Sequence, residues 1–178
     1  MYRILMMVGL MCLPMQFNYA HSEVQYPEQY VSTQVAINGL VNTPLTLDVN
    51  ALKQFPQQST QRVAITTMKG QLRAEAADFK GVLLTDLLNQ AEIIRKDHND
   101  VKKMVIVATA SDGYKAIFSW NELFNSPNGQ GIIIVYQKNG LPLDPKAGQI
   151  ALLSTRDLAS GPRFVKWLKE ISVLKVTD

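Results

Sequence analysis

Alternating apolar and polar residues predict a β-strand where the main domain begins. Val35 and Ile37 alternate with polar neighbours, and the pair Asn38-Gly39 is typical of a tight turn. An apolar stretch from Met104 to Ala108 predicts a buried strand, because a strand covered on both faces carries apolar residues at successive positions. The first part of the chain therefore indicates a sheet-forming protein.

Turn-forming pairs mark where further strands end. The segment "QRVAITTMKGQL" predicts a strand that runs to a turn at Lys69-Gly70. Asp112-Gly113 predicts a hairpin turn, followed by a return strand from Lys115 to Phe118, because both turn residues tolerate positive φ angles. Asn139-Gly140 predicts the end of another strand.

The predicted helices are short, and each has a candidate start. Asp48 is the predicted N-cap of a helix that Pro56 ends. Thr85 is the predicted N-cap of a second helix, which follows a turn at Gly81. Ser119 can cap the next helical turn. Since strands outnumber helices, we expect an α+β fold with mixed or antiparallel β-sheets and short helices, in a single domain at residues 35–178.

The first residues differ from the rest and predict export. Residues 1–20 carry Arg3, an apolar run and then polar and small residues, which is the order of regions in a secretory signal peptide. A retained N-terminal anchor is the alternative. Residues 21–34 are predicted to be a flexible leader. Cys12 is the only cysteine, so cleavage after Ala20 would leave a periplasmic protein without any thiol.

Composition and motif content exclude several classes of function. The chain is 47% hydrophobic and 19% charged, as in a globular protein, and its net charge of +3 is scattered, which argues against nucleic-acid binding. His21 and His98 have no partner at metal-ligand spacing, so we expect no metal site. Motifs of nucleotide binding and serine hydrolysis are absent from the sequence.

Polar loops that follow the predicted strands hold the candidate binding groups. Arg163 could bind a planar polar ligand or a phosphate in a forked geometry, and Asp112 and Asp157 could accept hydrogen bonds from an amidine-like N–H pair. Tyr114 and Phe164 could stack on a flat ring, as could the two tryptophans. Simpler roles are the alternatives: Asp112 and Asp157 could serve only their turns, Trp167 fits a core position, and Lys166 suits either solvent or a pocket.

Four motifs resemble the molybdopterin-binding domain of the sulfite oxidase family. They are "FKGVLLTDLL", "SDGY", "YQKNGLPL" and "GPRFVKWLKEISV", and they follow the family's order across nearly the whole predicted mature chain. The last motif is the most specific. The resemblance implies the sulfite oxidase molybdopterin-binding fold.

The resemblance also assigns roles to particular residues. Gly161, Pro162 and Arg163 would hold the phosphate and polar edge of a pterin, with Lys166 beside them, and hydroxyls of Thr109 and Ser111 would contribute. The family's molybdenum-binding cysteine would fall at Thr67 or Met68, and neither supplies a thiolate. The expected ligand-binding residues are Thr67, Thr109, Ser111, Asp112, Tyr114, Ser154, Asp157, Gly161, Arg163, Phe164 and Lys166.

Without the thiolate, the resemblance implies a binding protein and not an enzyme. Small, exported, cysteine-less members of this fold are similar to periplasmic proteins that capture a metal-free pterin. Such proteins report the pterin to the periplasmic domain of an inner-membrane cyclic di-GMP enzyme, which controls biofilm formation. We therefore expect a pterin ligand without molybdenum, and a chain that does not itself span the membrane. The alternatives are a molybdopterin-dependent oxidoreductase subunit and a plain protein-interaction module.

Overall fold

Two five-stranded sheets form the part of the chain that the computed structural model describes, residues 28–177. The predicted signal peptide and the first half of the predicted leader lie outside the described residues. The strands are β1 Gln34–Gly39, β2 Leu45–Asp48, β3 Gln57–Thr66, β4 Leu72–Leu83, β5 Met104–Ala110, β6 Lys115–Ser119, β7 Ile132–Lys138, β8 Leu141–Pro142, β9 Ala151–Ser154 and β10 Leu168–Lys175. The α-helices are α1 Val49–Leu52, α2 Leu84–Ala91 and α3 Trp120–Phe124.

The sheets are mixed and antiparallel, as predicted. The first sheet has the order β2-β1-β10-β5-β6, with β1 and β10 parallel and the other pairs antiparallel. The second has the order β3-β4-β7-β8, and β9 pairs with β7 as well. None of the helices within residues 28–177 is both long and apolar enough to cross a membrane.

Strand β7 lies between two apolar cores. Ile132, Ile134 and Tyr136 belong to the main core, which also includes apolar side chains of α2 and of the first sheet. Ile133 and Val135 belong to a second, smaller core. All five residues are buried, because both faces of the strand are covered.

Local capping predictions are confirmed at two helices and wrong at one. Asp48 accepts a hydrogen bond from the backbone N–H of Ala51 (2.7 Å), and Ser119 accepts one from that of Glu122 (3.0 Å). Thr85 is not a cap, since α2 begins at Leu84 directly after β4 and has no side-chain cap. Burial of this strand–helix junction, and not a polar cap, stabilises the start of α2.

The turn predicted at Gly81 is also wrong. Gly81 lies inside β4, where the register with β7 shifts between Lys80 and Gly81. A Cβ atom at this position would be 2.0 Å from the carbonyl oxygen of Ile134. The glycine therefore permits close approach of two strands at a bulge and does not end one.

The turn pairs at Lys69-Gly70, Asp112-Gly113 and Asn139-Gly140 are confirmed. The tight turn predicted at Asn38-Gly39 is wrong, because these two residues are the last of β1 and pair with β10. Gly113 has a φ of 90° between β5 and β6, and Asn139 and Gly140 have φ angles of 50° and 78° after β7. The predicted tight turn before the last strand is a 3₁₀ turn at Gly161–Arg163. Nearer the N-terminus, Glu28–Tyr30 form another 3₁₀ turn, and the ring of Tyr30 lies 5.9 Å from that of Trp167.

Candidate functional site

A cleft of about 1000 Å³ opens beside the second sheet. Its walls come from the β3–β4 hairpin, the β5–β6 hairpin, the end of β7, the segment after β8 and the segment before β10. Its apolar lining consists mainly of Ile65, Ala74, Phe79, Leu143, Phe164 and Trp167. The first five of these belong to the second core or pack on it, so the second core forms the floor of the cleft.

Two aromatic residues on the floor contact each other edge to face. The ring centroids of Phe79 and Phe164 are 6.4 Å apart, with an angle of 64° between the ring planes. This geometry fixes both rings, and the partly exposed ring of Phe164, which lines the cleft, is suited to contact a flat ligand.

Trp167 lines the cleft in a strained conformation. Its φ angle is 49°, which is an outlier for a bulky residue, and its side chain is only 6% exposed. The indole N–H donates to the Pro145 carbonyl (2.9 Å), and the Trp167 carbonyl accepts from the Ser111 N–H (2.9 Å). The core position predicted for Trp167 is confirmed, while its edge also reaches the cleft. Such strain is typical of functional sites.

Gly148 leaves the space that this conformation needs. A Cβ atom at Gly148 would lie 2.8 Å from Cδ1 of Trp167 and 2.9 Å from its Cα. The backbone of Ala147 also accepts the Trp167 N–H at 2.9 Å. The segment after β8 thus holds Trp167 against the floor of the cleft.

The walls of the cleft carry an excess of positive charge. The described lining residues include five basic side chains and three acidic ones, an excess of two positive charges: Lys69, Arg73, Lys138, Lys146 and Lys166 against Glu75, Asp112 and Asp144. Two of the carboxylates also serve local turns, since Asp112 accepts from the Tyr114 N–H (2.9 Å) and Asp144 from the Lys146 N–H (2.7 Å). The cleft therefore favours a ligand with anionic or electron-rich groups.

The turn after β3 places Thr67 and Met68 at the cleft. The Thr67 hydroxyl accepts from the backbone N–H of Gln71 (3.2 Å), and the Thr67 carbonyl accepts from that of Gly70 (2.9 Å). The described lining residues include neither cysteine nor histidine, and residues 28–177 contain no group of three or more potential ligands arranged to hold a metal ion. These walls offer stacking and charged contacts to a flat polar ligand, and their described residues supply no thiolate.

The segment Gly161–Phe164 is tied to its surroundings on two sides. The Ser160 hydroxyl just before it donates to the Ala64 carbonyl (2.7 Å) and accepts from the Thr66 N–H (3.2 Å). On the other side, the Tyr114 hydroxyl donates to the Pro162 carbonyl. Gly161, Pro162 and Phe164 thereby face the cleft.

Arg163 points away from the cleft into an ion-pair network. Its Nε lies 2.7 Å from Oδ2 of Asp157, its Nη2 contacts Oδ1, and its Nη1 lies 2.7 Å from Oε1 of Glu122 on α3. Ser154 donates to Asp157 (2.8 Å), and the guanidinium carbon sits 4.5 Å from the centroid of the Phe118 ring. The hydrogen bonds to Asp157, and then to Glu122, raise the pKa of Arg163 above its ordinary value.

The structure thus divides the residues predicted from sequence into two groups. Those that line the cleft are Thr67, Asp112, Tyr114, Gly161, Phe164 and Lys166. Those outside its lining are Ser154, Asp157 and Arg163, in the ion-pair network, and Thr109 and Ser111, at the end of β5. The Ser111 hydroxyl donates to the Trp167 carbonyl (3.3 Å), which corrects its expected role from direct contact to support of the floor. The fork of Arg163 is likewise occupied by protein carboxylates and not directed at a ligand.

Sequence reasoning missed several cleft residues. Arg73 and Lys138 carry charge into the walls, and Phe79 and Leu143 form part of the floor. The register that places Phe79 opposite Lys138 on neighbouring strands assembles this part of the cleft. Their signal lies in strand pairing and not in any local motif.

Comparisons with known proteins agree with this architecture. The family model described as "Oxidoreductase molybdopterin binding domain" matches residues 21–177. The solved structure of the sulfane dehydrogenase SoxCD from Paracoccus pantotrophus superimposes with a TM-score of 0.59 at 18% sequence identity, covering 84% of this chain and 39% of that one. This likeness shows a shared fold, and the chain spans about two fifths of the length of the SoxCD chain. No curated protein matches the sequence.

Proposed function

Because the chain belongs to the oxidoreductase molybdopterin binding domain family, we propose that it binds a metal-free pterin in the cleft beside Phe164 and Trp167. The observation that carries this proposal is the combination of an aromatic floor and positive walls with Thr67 and Met68 at the turn where the family's thiolate is expected. The cleft offers an aromatic surface and positive charge to a flat heterocycle, and its described lining residues include no cysteine of the kind that binds molybdenum in the family it resembles.

The chemistry of a pterin matches the lining. Its bicyclic ring can stack on Phe164, and its amidine-like N–H pair can donate to a carboxylate such as Asp112. Its carbonyl oxygen, or a phosphate on its side chain, is suited to the lysines and Arg73 of the walls.

The donor set at the turn after β3 supports a binding role without catalysis. A threonine hydroxyl and a methionine thioether are poor substitutes for an anionic thiolate on molybdenum. The alternative is a molybdopterin-dependent oxidoreductase subunit, and the metal content of the purified protein separates the two. Stoichiometric molybdenum in the purified protein would favour the oxidoreductase.

We further propose that the protein acts in the periplasm as the sensor of a signalling pair. The apolar run near the N-terminus supports export. The resemblance to small, cysteine-less pterin-binding proteins supports a membrane-bound partner whose periplasmic domain controls cyclic di-GMP turnover. Cell fractionation tests the location: recovery in the cytoplasm would contradict it.

Spectroscopy of the protein purified from its native cells tests the ligand. We expect the absorption and fluorescence of a pterin, released on denaturation. As a direct probe, neopterin should quench tryptophan emission because Trp167 lines the cleft. A purified protein that carries no pterin and binds none at micromolar concentration would refute the proposal.

A further inference from the structure

Exposed apolar side chains gather around the mouth of the cleft. Eight large apolar side chains are exposed among the described residues. Four of them form what we call the mouth patch: Met68 (80% exposed), Leu72 (61%), Tyr114 (46%) and Leu141 (69%). Single exposed apolar residues are ordinary on a protein surface, but a cluster beside a cleft marks a binding surface.

Contact with a small ligand does not account for the whole patch. Met68 and Tyr114 line the cleft, whereas Leu72 and Leu141 do not. Leu72 lies between the lining residues Gln71 and Arg73 in sequence, and Leu141 pairs with the lining residue Lys138, so both lie next to lining residues but outside them. The patch therefore extends beyond the space that a bound pterin would fill.

Positive charges are interspersed with these apolar residues. Lys69 lies beside Met68 and Arg73 beside Leu72 in sequence, and Lys138 is the strand partner of Leu141. All three are exposed, and no ion pair joins any of them to another residue of the part described. The surface around the mouth is thus complementary to a partner with acidic side chains around an apolar anchor.

A second copy of this chain fits poorly on this surface. In a two-fold dimer the same patch would face itself, which would bring Lys69, Arg73 and Lys138 towards their own counterparts. Repulsion between like charges opposes that arrangement. An acidic partner of a different kind suits the mouth better.

We propose that the mouth patch is the docking surface for an acidic protein domain that closes over the cleft. This inference rests on the proposed function in one respect: the docked domain would contact the protein and the bound pterin together. Occupancy of the cleft would then change the affinity for the partner, and the partner would change the affinity for the pterin by the same factor. Loaded and empty molecules would be distinguished at this one surface.

Site-specific photocrosslinking in native cells locates the docking surface. The full chain would carry p-benzoylphenylalanine at Leu72 or Leu141, with Ile117 as the control, because Ile117 is 60% exposed and lies on β6 of the other sheet. We expect adducts at Leu72 and Leu141 with a protein whose domain is acidic, identified by mass spectrometry, and none at Ile117. Adducts at Ile117 alone, adducts with a second copy, adducts with lipid, or none at the mouth would each overturn the proposal.

Calorimetry with the purified domain that crosslinking identifies then measures how much each patch residue contributes to the affinity. Leu72→Asp and Leu141→Asp should each weaken its binding at least tenfold, whereas Ile117→Asp should leave it unchanged, and added salt should weaken the wild-type complex. Equal effects at all three positions would overturn the proposal. Neopterin titration of the wild type and of the same variants separates the docking proposal from the proposed function. If the wild-type protein binds the domain but no pterin, the proposed function alone is refuted.

Discussion

Arg163 and Asp157 form a two-pronged ion pair, with Nε 2.7 Å from Oδ2, directly behind the segment that faces the cleft. This ion pair directs the Arg163 side chain towards the protein interior and away from the cleft. Arg163 is therefore a positioning residue, and the following variants distinguish this role from direct ligand contact.

Arg163→Ala should lower the free energy of unfolding by about 1–3 kcal/mol, because it leaves two half-buried carboxylates without their partner. Arg163→Lys keeps the positive charge but not the planar guanidinium that donates two hydrogen bonds to Asp157, so it should recover little of the lost stability. Thermal denaturation measures both, with Arg156→Ala as the control, since Arg156 is exposed and donates to the Pro127 carbonyl and not to a carboxylate. If Arg163→Lys bound neopterin with the wild-type affinity while its stability stayed as low as that of Arg163→Ala, direct ligand contact would be the better account.

Asp112→Asn should weaken neopterin binding by about 1–3 kcal/mol, since it removes a charged acceptor from the cleft wall. The amide oxygen can still accept from the Tyr114 N–H, so the hairpin should persist. Fluorescence titration measures the affinity. The matched control is Asp97→Asn, because Asp97 accepts from the Asn99 N–H in a similar turn outside the cleft. Equal affinity in both variants would remove Asp112 from the site.

Gly148→Ala should destabilise the protein and shift the tryptophan emission, because the added methyl group would overlap Trp167. Overpacking of this kind costs about 1–3 kcal/mol. Gly140→Ala is the control: its φ of 78° matches the 80° of Gly148, but nothing lies within 4 Å of the added atom. Backbone strain is then common to both variants, and any difference between them reports the contact with Trp167. Identical stabilities and spectra would contradict this account of Gly148.

Asp100 should make stability depend on pH in the acid range. Its hydrogen bond with Lys175, and then the Asp97 backbone N–H, lower the pKa of Asp100 to about 2 from the ordinary 3.8. Because the folded state binds this proton less readily than the unfolded state, the stabilisation is complete above pH 3.8 and is lost as the pH falls through about 2. Melting temperatures of wild type and Asp100→Asn should differ most above about pH 5 and converge towards pH 2. A constant difference across that range would exclude the carboxylate as the cause.

Local sequence signals predicted the parts of the fold that depend on local contacts. Asp48 and Ser119 were correct caps, because their partners lie three residues away along the chain. The N-cap predicted at Thr85 is wrong because burial of the β4–α2 junction overrides local propensity. The turn predicted at Gly81 is wrong because the pairing of β4 with β7 does so. Tertiary packing commonly wins such conflicts.

The candidate site was predicted in part for the same reason. Asp112, Tyr114 and Gly161 were identified from motifs that lie in single loops. Arg73 and Lys138 were missed because only strand pairing brings them to the cleft, and the orientation of Arg163 depends on Glu122, which belongs to a separate helix. Sequence patterns identify residue types at a loop, but they do not give the direction in which a side chain points.

Strand β7 separates the main core from the floor of the cleft, with Ile134 on one side and Val135 on the other. Its backbone amides can therefore become accessible only when both cores open together. In hydrogen-exchange experiments, β7 should be among the last segments to exchange, and a bound ligand should slow it as much as it slows the whole domain. Ligand binding in the cleft would then be detected as slower exchange of the slowest amides of the molecule, which do not themselves contact the ligand.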